Sequence, residues 1–496
     1  FLNGAAMSEG WYDTNPPLSI LFQVPPVLLA WITGLGFEYT TLIWSFSILF
    51  TSFTLSAVLL ARLDFLERPV YHLLLALFLF GNTFTTVLFF GERDQIVLLG
   101  LVPFILTQLC LTFHKALPGW LKWTSLIVGT ITILLKPHFG LIPTLLMLHR
   151  AVRQRSILAI FRYPDFYSLA LGVVSYLALI ALFFSDFINV IFPDILVFYA
   201  GDVHPKVWPE SAFLSLLTLI CVSVISSFDF VDRSHKKLVY TLGALTLLAL
   251  IPYVVQLKGL YYHLIPSICF LIMTVGVSFY TIINARLSNI PALYVATLLA
   301  LGLLYFGFTP PFSYPTHKEF QKGPVSKLLK THCPEPCRYF FINDTNDLKW
   351  QLSVYHNATH ATRFSSLWFL PELLDEQASQ NILWQNKVFS TEDYHHYRRK
   401  YARLIAEDLK KYKPQLLMIV DTPKFAGPDF DFGEFFAYSK DFNRQWDHYR
   451  FIGQESFNRR VYYKGTSLDY DYDMTLNLYK RRGSLESRCL IPSSDG

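Results

Sequence analysis

The sequence predicts a polytopic α-helical membrane protein carrying a C-terminal extracytoplasmic α/β domain. Three observations predict it: apolar runs of membrane length fill residues 1–310, the connectors alternate in charge, and composition changes abruptly after Phe308. A run of ~20 residues crosses the ~30 Å hydrocarbon core at ~1.5 Å per residue. With 52% hydrophobic and only 16% charged residues among 496, the chain has too much apolar surface for a water-soluble globule.

About ten spans are expected, near 38–62, 69–90, 95–114, 119–136, 138–150, 164–185, 209–228, 237–256, 261–284 and 290–309. The pair 119–136 and 138–150 is short and interrupted by Pro137, so one or both read as half-helices. Residues 17–34 contain Pro25-Pro26 and suit an interfacial or kinked helix better than a clean span. The chain opens within a loop, without an initiator Met or a signal peptide, and an earlier transmembrane helix is expected ahead of it.

Orientation follows from Lys and Arg in the short loops. Arg62 with Arg68, Lys115 with Lys122, Arg150, Arg153, Arg155 and Arg162, then Arg233, Lys236 and Lys237, and finally Arg286 all fall on one side if each span crosses once. That side is expected to be cytoplasmic. The net charge of +5 is accordingly a topology signal and gives no reason to expect a nucleic-acid partner.

The opposite connectors are sparse in charge but unusual in kind. Trp11-Tyr12-Asp13-Thr14-Asn15-Pro16-Pro17 brings a carboxylate to the mouth of the interfacial segment, with Asn15 as the expected N-cap and Pro16-Pro17 in the first turn. A carboxylate fixed there suits a general base; the plainer alternative is a loop cap. Gly91-Glu92-Arg93-Asp94 puts two acids around an arginine, which could anchor a helix or bind a phosphate through Arg93. Lys136-Pro137-His138 interrupts an apolar stretch, where ionisable groups are costly and face a cavity or a partner unless they snorkel to the interface. Lys258 with Tyr261, Tyr262 and His263 repeats a cation, phenols and imidazole at a helix start. The long loop ending Tyr199-Ala200-Gly201-Asp202-Val203-His204-Pro205-Lys206 reads as a substrate lid, with Asp202, His204 and Lys206 at its tip.

Beyond the spans, 311–325 reads as a proline-rich linker, 326–470 as the α/β domain and 471–496 as a frayed tail. Strands are expected at Arg338–Asn343, Gln415–Val420, His448–Ile452 and Arg459–Lys464, and helices at Glu392–Lys413 and Gly433–Trp446. Cys110, Cys221 and Cys269 read as core residues. Cys333 and Cys337 form either a local disulfide or half of a metal site, and Cys489 is expected to be unpaired. His395-His396 reads as surface, and Asn343 and Asn357 begin sequon-like triplets.

Taken together, these motifs resemble the GT-C superfamily of integral membrane glycosyltransferases, in the branch that holds protein O-mannosyltransferases and lipid A aminoarabinose transferases. The resemblance covers about residues 1–310 and lies in order and topology more than in identity. Asp13-Thr14-Asn15-Pro16-Pro17-Leu18 stands where that family keeps a catalytic Asp before a His-Pro-Pro-Leu-like stretch, and Glu92-Arg93-Asp94 stands at its second-loop acidic element. Leu135-Lys136-Pro137-His138 loosely matches a Thr-Lys-Gly-Pro-like turn, and Tyr261-Tyr262-His263-Leu264-Ile265-Pro266 matches a late aromatic loop. Asn15 replaces the family's His, Lys-Pro-His replaces Lys-Gly-Pro, and the first loop has one acid where mannosyltransferases have two.

The resemblance implies a GT-C-like fold and an inverting transfer of a sugar from a polyprenyl phosphate-linked donor to an acceptor hydroxyl on a glycan, lipid or protein. It implies Asp13, Glu92 and Asp94 as catalytic acids, with Arg93, Lys136, His138, Lys258, Tyr262 and His263 around the donor phosphate. Tyr12, Asn15, Asp202, His204 and Lys206 would line the substrate loop. Asp13, Glu92 and Asp94 could also hold a divalent metal ion, since related enzymes differ in needing one. The implied setting is a bacterial inner membrane, with membrane lipids as partners and the site on the periplasmic face, in cell-envelope glycan biosynthesis. A transporter or flippase of a lipid-linked substrate is the alternative.

Overall fold

The computed structural model describes residues 6–63, 66–84, 90–199, 207–229, 231–286, 321–333, 336–342, 352–353, 356, 358–370, 373, 379–382, 385–388, 390–421, 431–458 and 473–482. The chain divides into two compact units. One holds Asn15–Phe183 and Val203–Pro310; the other holds Phe1–Thr14, Phe184–Asp202 and Pro311–Gly496. Two excursions from the membrane-like half thus belong with the C-terminal half, which no local signal in the sequence announces.

The helical unit contains α2 (Pro17–Leu21), α3 (Val24–Thr33), α4 (Phe37–Leu60), α5 (Arg68–Phe84), α6 (Arg93–Thr112), α7 (Gly119–Leu135), α8 (Leu141–Arg153), α9 (Pro164–Phe183), α11 (Val207–Ser227), α12 (Arg233–Gln256) and α13 (Ile265–Arg286); α1 (Met7–Gly10) and α10 (Phe192–Asp194) belong to the other unit. Among the described residues, six helical stretches are long and apolar enough to cross a membrane: α4, α6, α9, α11, α12 and Tyr261–Asn284. This fits a multi-pass helical membrane protein. The larger expected count included α7, of 17 residues, and the 13-residue α8, too short to cross alone; the expected span 69–90 runs from α5 into residues 85–89, which lie outside the described residues. The expected span at 290–309 lies outside the described residues.

Burial sorts these helices. Within their apolar windows 83% of α6 is buried but only 11% of α9, so α6 is the axis of the unit and α9 presents apolar side chains outward, as a lipid-facing helix does. Small residues let α7 approach α6 closely. A Cβ at Gly100 would collide with Thr132 Oγ1, and one at Gly129 would lie 2.7 Å from Phe104. Ser52 of α4 donates its hydroxyl to the Leu99 carbonyl. At the other end of α6 from Asp94, Arg150 clamps Asp165 through one nitrogen at 2.7 and 2.9 Å while Gln108 donates to the same carboxylate at 2.8 Å. Arg150, counted above among loop cations, is therefore consumed in a buried ion pair. The kinked reading of 17–34 holds: α2 and α3 are separate, and Trp31 is 83% exposed. Asn15 is not the N-cap. Pro16, in extended geometry, precedes α2 with Pro17 at its first position, and no side chain caps the turn.

Among its described residues the second unit contains α1 (Met7–Gly10), α10 (Phe192–Asp194) between two π-helical turns, α14 (Pro324–His332), α15 (Thr391–Tyr412), α16 (Phe432–Phe436), α17 (Lys440–Trp446) and seven strands. The strands are β1 (Arg338–Ile342), β2 (Thr359–His360), β3 (Ser379–Ile382), β4 (Gln385–Val388), β5 (Leu416–Val420), β6 (Tyr449–Asn458) and β7 (Asp473–Arg481). The five-stranded sheet runs β2-β1-β5-β7-β6, parallel among the first three and antiparallel thereafter, and β3 pairs with β4 in a separate ribbon. Ser390 and Asp393 form a capping box on α15, and Lys413 in the left-handed region ends it before Pro414. Cys333 and Cys337 are disulfide-bonded, which removes the metal-pair alternative.

Two expectations are corrected here. The supposed tail contains β7, an interior strand whose Leu476 and Leu478 are buried in the sheet's core. Its period-2 alternation was masked by the adjacent Lys480-Arg481-Arg482. The helix expected at Gly433–Trp446 is two, because Ser439 caps a new start at Lys440. The strand expected at Arg459–Lys464, Cys489 and both sequon asparagines lie outside the described residues.

Candidate functional site

Three helix ends from distant parts of the sequence meet around one buried carboxylate. The first is the start of α6. Gly91 turns the chain at φ +86°, and the Gln95 side chain holds that turn, accepting from Gly91 N–H at 2.6 Å and donating to the Asn82 carbonyl at 2.8 Å. Glu92 sits at the N-cap and accepts from Arg93 N–H at 3.3 Å. Asp94, one residue into the helix, turns inward and is fully buried.

The second is the end of α7. Pro137 cannot continue the helix and biases its predecessor away from helical geometry, so Lys136 takes φ −140°, ψ 84° and a short 3-10 turn, Pro137–Gly140, leads into α8. The third is the α12–α13 connection. Leu257 caps α12 in the left-handed region, Gly259 also takes positive φ, and a turn over Tyr261–Leu264 starts α13. That path buries Lys258 and His263.

The resulting geometry is tight. Lys136 Nζ lies 2.6 Å from Asp94 Oδ2 and 2.9 Å from His263 Nδ1, and His263 Nδ1 lies 3.1 Å from Asp94 Oδ1. The Tyr262 ring lies under the Lys136 ammonium at 5.0 Å and edge-on to His263 at 4.4 Å. Arg93 and Glu92 are close enough to act electrostatically on Lys136. Gln256, at the end of α12, approaches His138 Nε2 at 3.0 Å; an amide donor there makes that nitrogen the acceptor.

This arrangement has two proton placements. With a hydrogen on Nδ1, His263 donates to Asp94 and leaves Nε2 as a lone pair. With Nδ1 accepting from Lys136, Nε2 carries the hydrogen. Nε2 is buried and has no hydrogen-bond partner among the described residues. The cluster can therefore offer either a donor or an acceptor at one fixed atom while Lys136 supplies positive charge.

The sequence-derived candidates divide accordingly. Asp94, Lys136 and His263 come together, with Tyr262, Arg93 and Glu92 beside them and His138 close enough to feel the charges of Lys136, Asp94 and Arg93. Asp94, expected as a catalytic acid, has its two oxygens facing Lys136 and His263. Glu92 serves as a helix cap. Asp202, His204 and Lys206 lie outside the described residues. Lys258 is buried on the same connection. Among the described residues no three of His, Cys, Asp and Glu gather as metal ligands, and an ammonium 2.6 Å from Asp94 occupies the place a cation would need. The acids do not fit a divalent ion.

Asp13 and Tyr12 belong to the second unit. Asp13 is 3% exposed, with Thr14 Oγ1 at 3.5 Å from its Oδ1. Tyr12, expected in a substrate loop, is wholly buried and structural. Its N–H donates to the Arg363 carbonyl at 2.8 Å, its hydroxyl donates to Asp194 at 2.5 Å, and its ring contacts Phe364. Asp194 also accepts from Tyr401 at 2.7 Å and from Lys400 at 2.6 and 2.8 Å. Burial, and then the Asp194 charge, hold the Tyr12 and Tyr401 phenols well above the ordinary tyrosine range. Nearby, Arg363 bonds Asp408 at 2.8 Å and Glu407 at 3.0 Å. The Asp194 knot escaped the sequence reading, although a lone acid within the apolar run 187–199 was the available signal. No protein-family model, curated protein or solved structure matches the chain.

Proposed function

We propose that the chain is an inverting membrane glycosyltransferase of the GT-C type, moving a sugar from a polyprenyl phosphate-linked donor to an acceptor hydroxyl. The observation that carries this reading is the buried Asp94–Lys136–His263 cluster with Arg93 beside it, at the ends of apolar helices. The phosphodiester of such a donor brings one negative charge to this site, and Lys136 and Arg93 stabilise the second charge that grows on the leaving phosphate as the anomeric carbon–oxygen bond breaks. Asp94 keeps Lys136 charged and aimed. His263 Nε2 donates to, or accepts from, the leaving phosphate or the acceptor. The proton of the attacking hydroxyl goes to Asp13, an assignment resting on the sequence resemblance alone. A bacterial inner membrane with the site on the periplasmic face is part of the same proposal.

The test is sugar transfer by purified protein in nanodiscs supplied with a panel of polyprenyl phosphate-sugars, following release of polyprenyl phosphate. Release that Asp13→Asn and Lys136→Met both abolish supports the reading. Release unchanged by Asp13→Asn removes it as the base. A buried acid–lysine–histidine cluster is equally at home in a proton-coupled transporter. Binding of the lipid without release, together with proton-dependent movement of it across a vesicle membrane, would establish that second reading instead.

A further inference from the structure

At the basic end of the helical unit, away from the Asp94 cluster, α4, α5, α6, α12 and α13 enclose a cleft of about 270 Å³. Its walls are almost wholly apolar, including Leu63, Leu74, Leu106, Leu245, Phe270 and Met273. At its margin α12 contributes Arg233, Ser234 and Lys237. Arg233 and Lys237 are exposed and four residues apart, hence on one face of the helix. The neighbouring acid, Asp232, is engaged with its own helix start, accepting from Ser234 N–H at 2.8 Å and from the Ser234 hydroxyl. Arg233 and Lys237 are the only charged side chains among the described residues that line the cleft, so its lining is positive.

We propose that the cleft takes one acyl chain of an anionic phospholipid from the leaflet facing the basic end, with the lipid phosphate held by Arg233 and Lys237. Apolar walls with cations confined to the mouth match a molecule with an apolar tail and an anionic head. The volume lies just below the ~300–1,000 Å³ of ordinary small-molecule pockets, which suits part of a chain and excludes a whole lipid. Juxtamembrane cations attract anionic lipid at this depth, and losing each one weakens the attraction about 5-fold. The site does not depend on the transferase reading, since it lies at the other end of the bundle and uses none of the same residues.

The test uses the full chain in phosphatidylcholine nanodiscs containing a trace of phosphatidylglycerol that carries a photoreactive group near the end of one chain. Crosslinks are expected on the α6 and α13 peptides holding Leu106, Phe270 and Met273. Unlabelled phosphatidylglycerol should compete, and the double variant Arg233→Gln, Lys237→Gln should weaken labelling about 25-fold. Equal competition by phosphatidylcholine, competition by inorganic phosphate, or crosslinks confined to other peptides would overturn the assignment. Should the double variant prove unstable, Lys237→Arg is expected to retain labelling, and its loss there counts against the proposal.

Discussion

Two buried carboxylates, one in each unit, carry the same kind of partners to different ends. Asp194 accepts from Lys400, Tyr12 and Tyr401, and none of those polar atoms is left unsatisfied. Asp94 also faces a lysine, but its second partner is a histidine whose far nitrogen is buried without a hydrogen bond among the described residues. A fully satisfied knot fixes three chain segments and has nothing to offer a ligand. A cluster with a spare, two-state nitrogen has built in the cost of an unpaired buried polar atom, which a substrate can relieve. On the function proposed above, the difference separates a strut from a site.

The sharpest way to break that comparison is to remove the acid from the strut. Asp194→Ala takes the acceptor away from the buried Tyr12 and Tyr401 phenols and from the half-buried Lys400 ammonium, and should cost about 2–4 kcal/mol, read as a large fall in the thermal midpoint of the purified chain. A loss below about 1 kcal/mol would mean the knot holds little. Lys136→Met tests the other side. Sugar transfer should fall about 100-fold or more, as when one preorganised charge is deleted from a transition state.

These two centres also show what was legible in the sequence. Lys136, His263 and Asp94 could be singled out because ionisable residues interrupt apolar runs, and alternating topology put them on one face. What could not be read was their division of labour, since Asp94 differs from a base only through the contacts that occupy it. The Asp194 knot joins residues up to 389 positions apart, Tyr12 to Tyr401, and no periodicity encodes such a pairing. Helix positions were clear because apolar length is a local property. Strand β7 was lost because three basic residues at its end resembled a tail, although its burial depends on neighbours far away in the chain.

Smaller effects refine the contrast. Tyr401→Phe removes one of the hydrogen bonds to Asp194 and should lower stability by about 1–2 kcal/mol. Because the fold favours the neutral phenols of Tyr12 and Tyr401, their contribution is full below the unfolded tyrosine value of about 10 and is lost as pH rises above it. Thermal midpoints should therefore fall from pH 9 to pH 11, with a shallower fall in Tyr401→Phe.

The most direct measurement compares polyprenyl phosphate release by the wild type, His263→Asn and Tyr401→Phe in the same nanodiscs with one accepted donor. A site at Asp94 and a strut at Asp194 predict at least a 10-fold loss for His263→Asn and no more than a 2-fold change for the folded Tyr401→Phe protein. The reverse pattern, with His263→Asn turning over as the wild type does, would contradict the assignment of the centre.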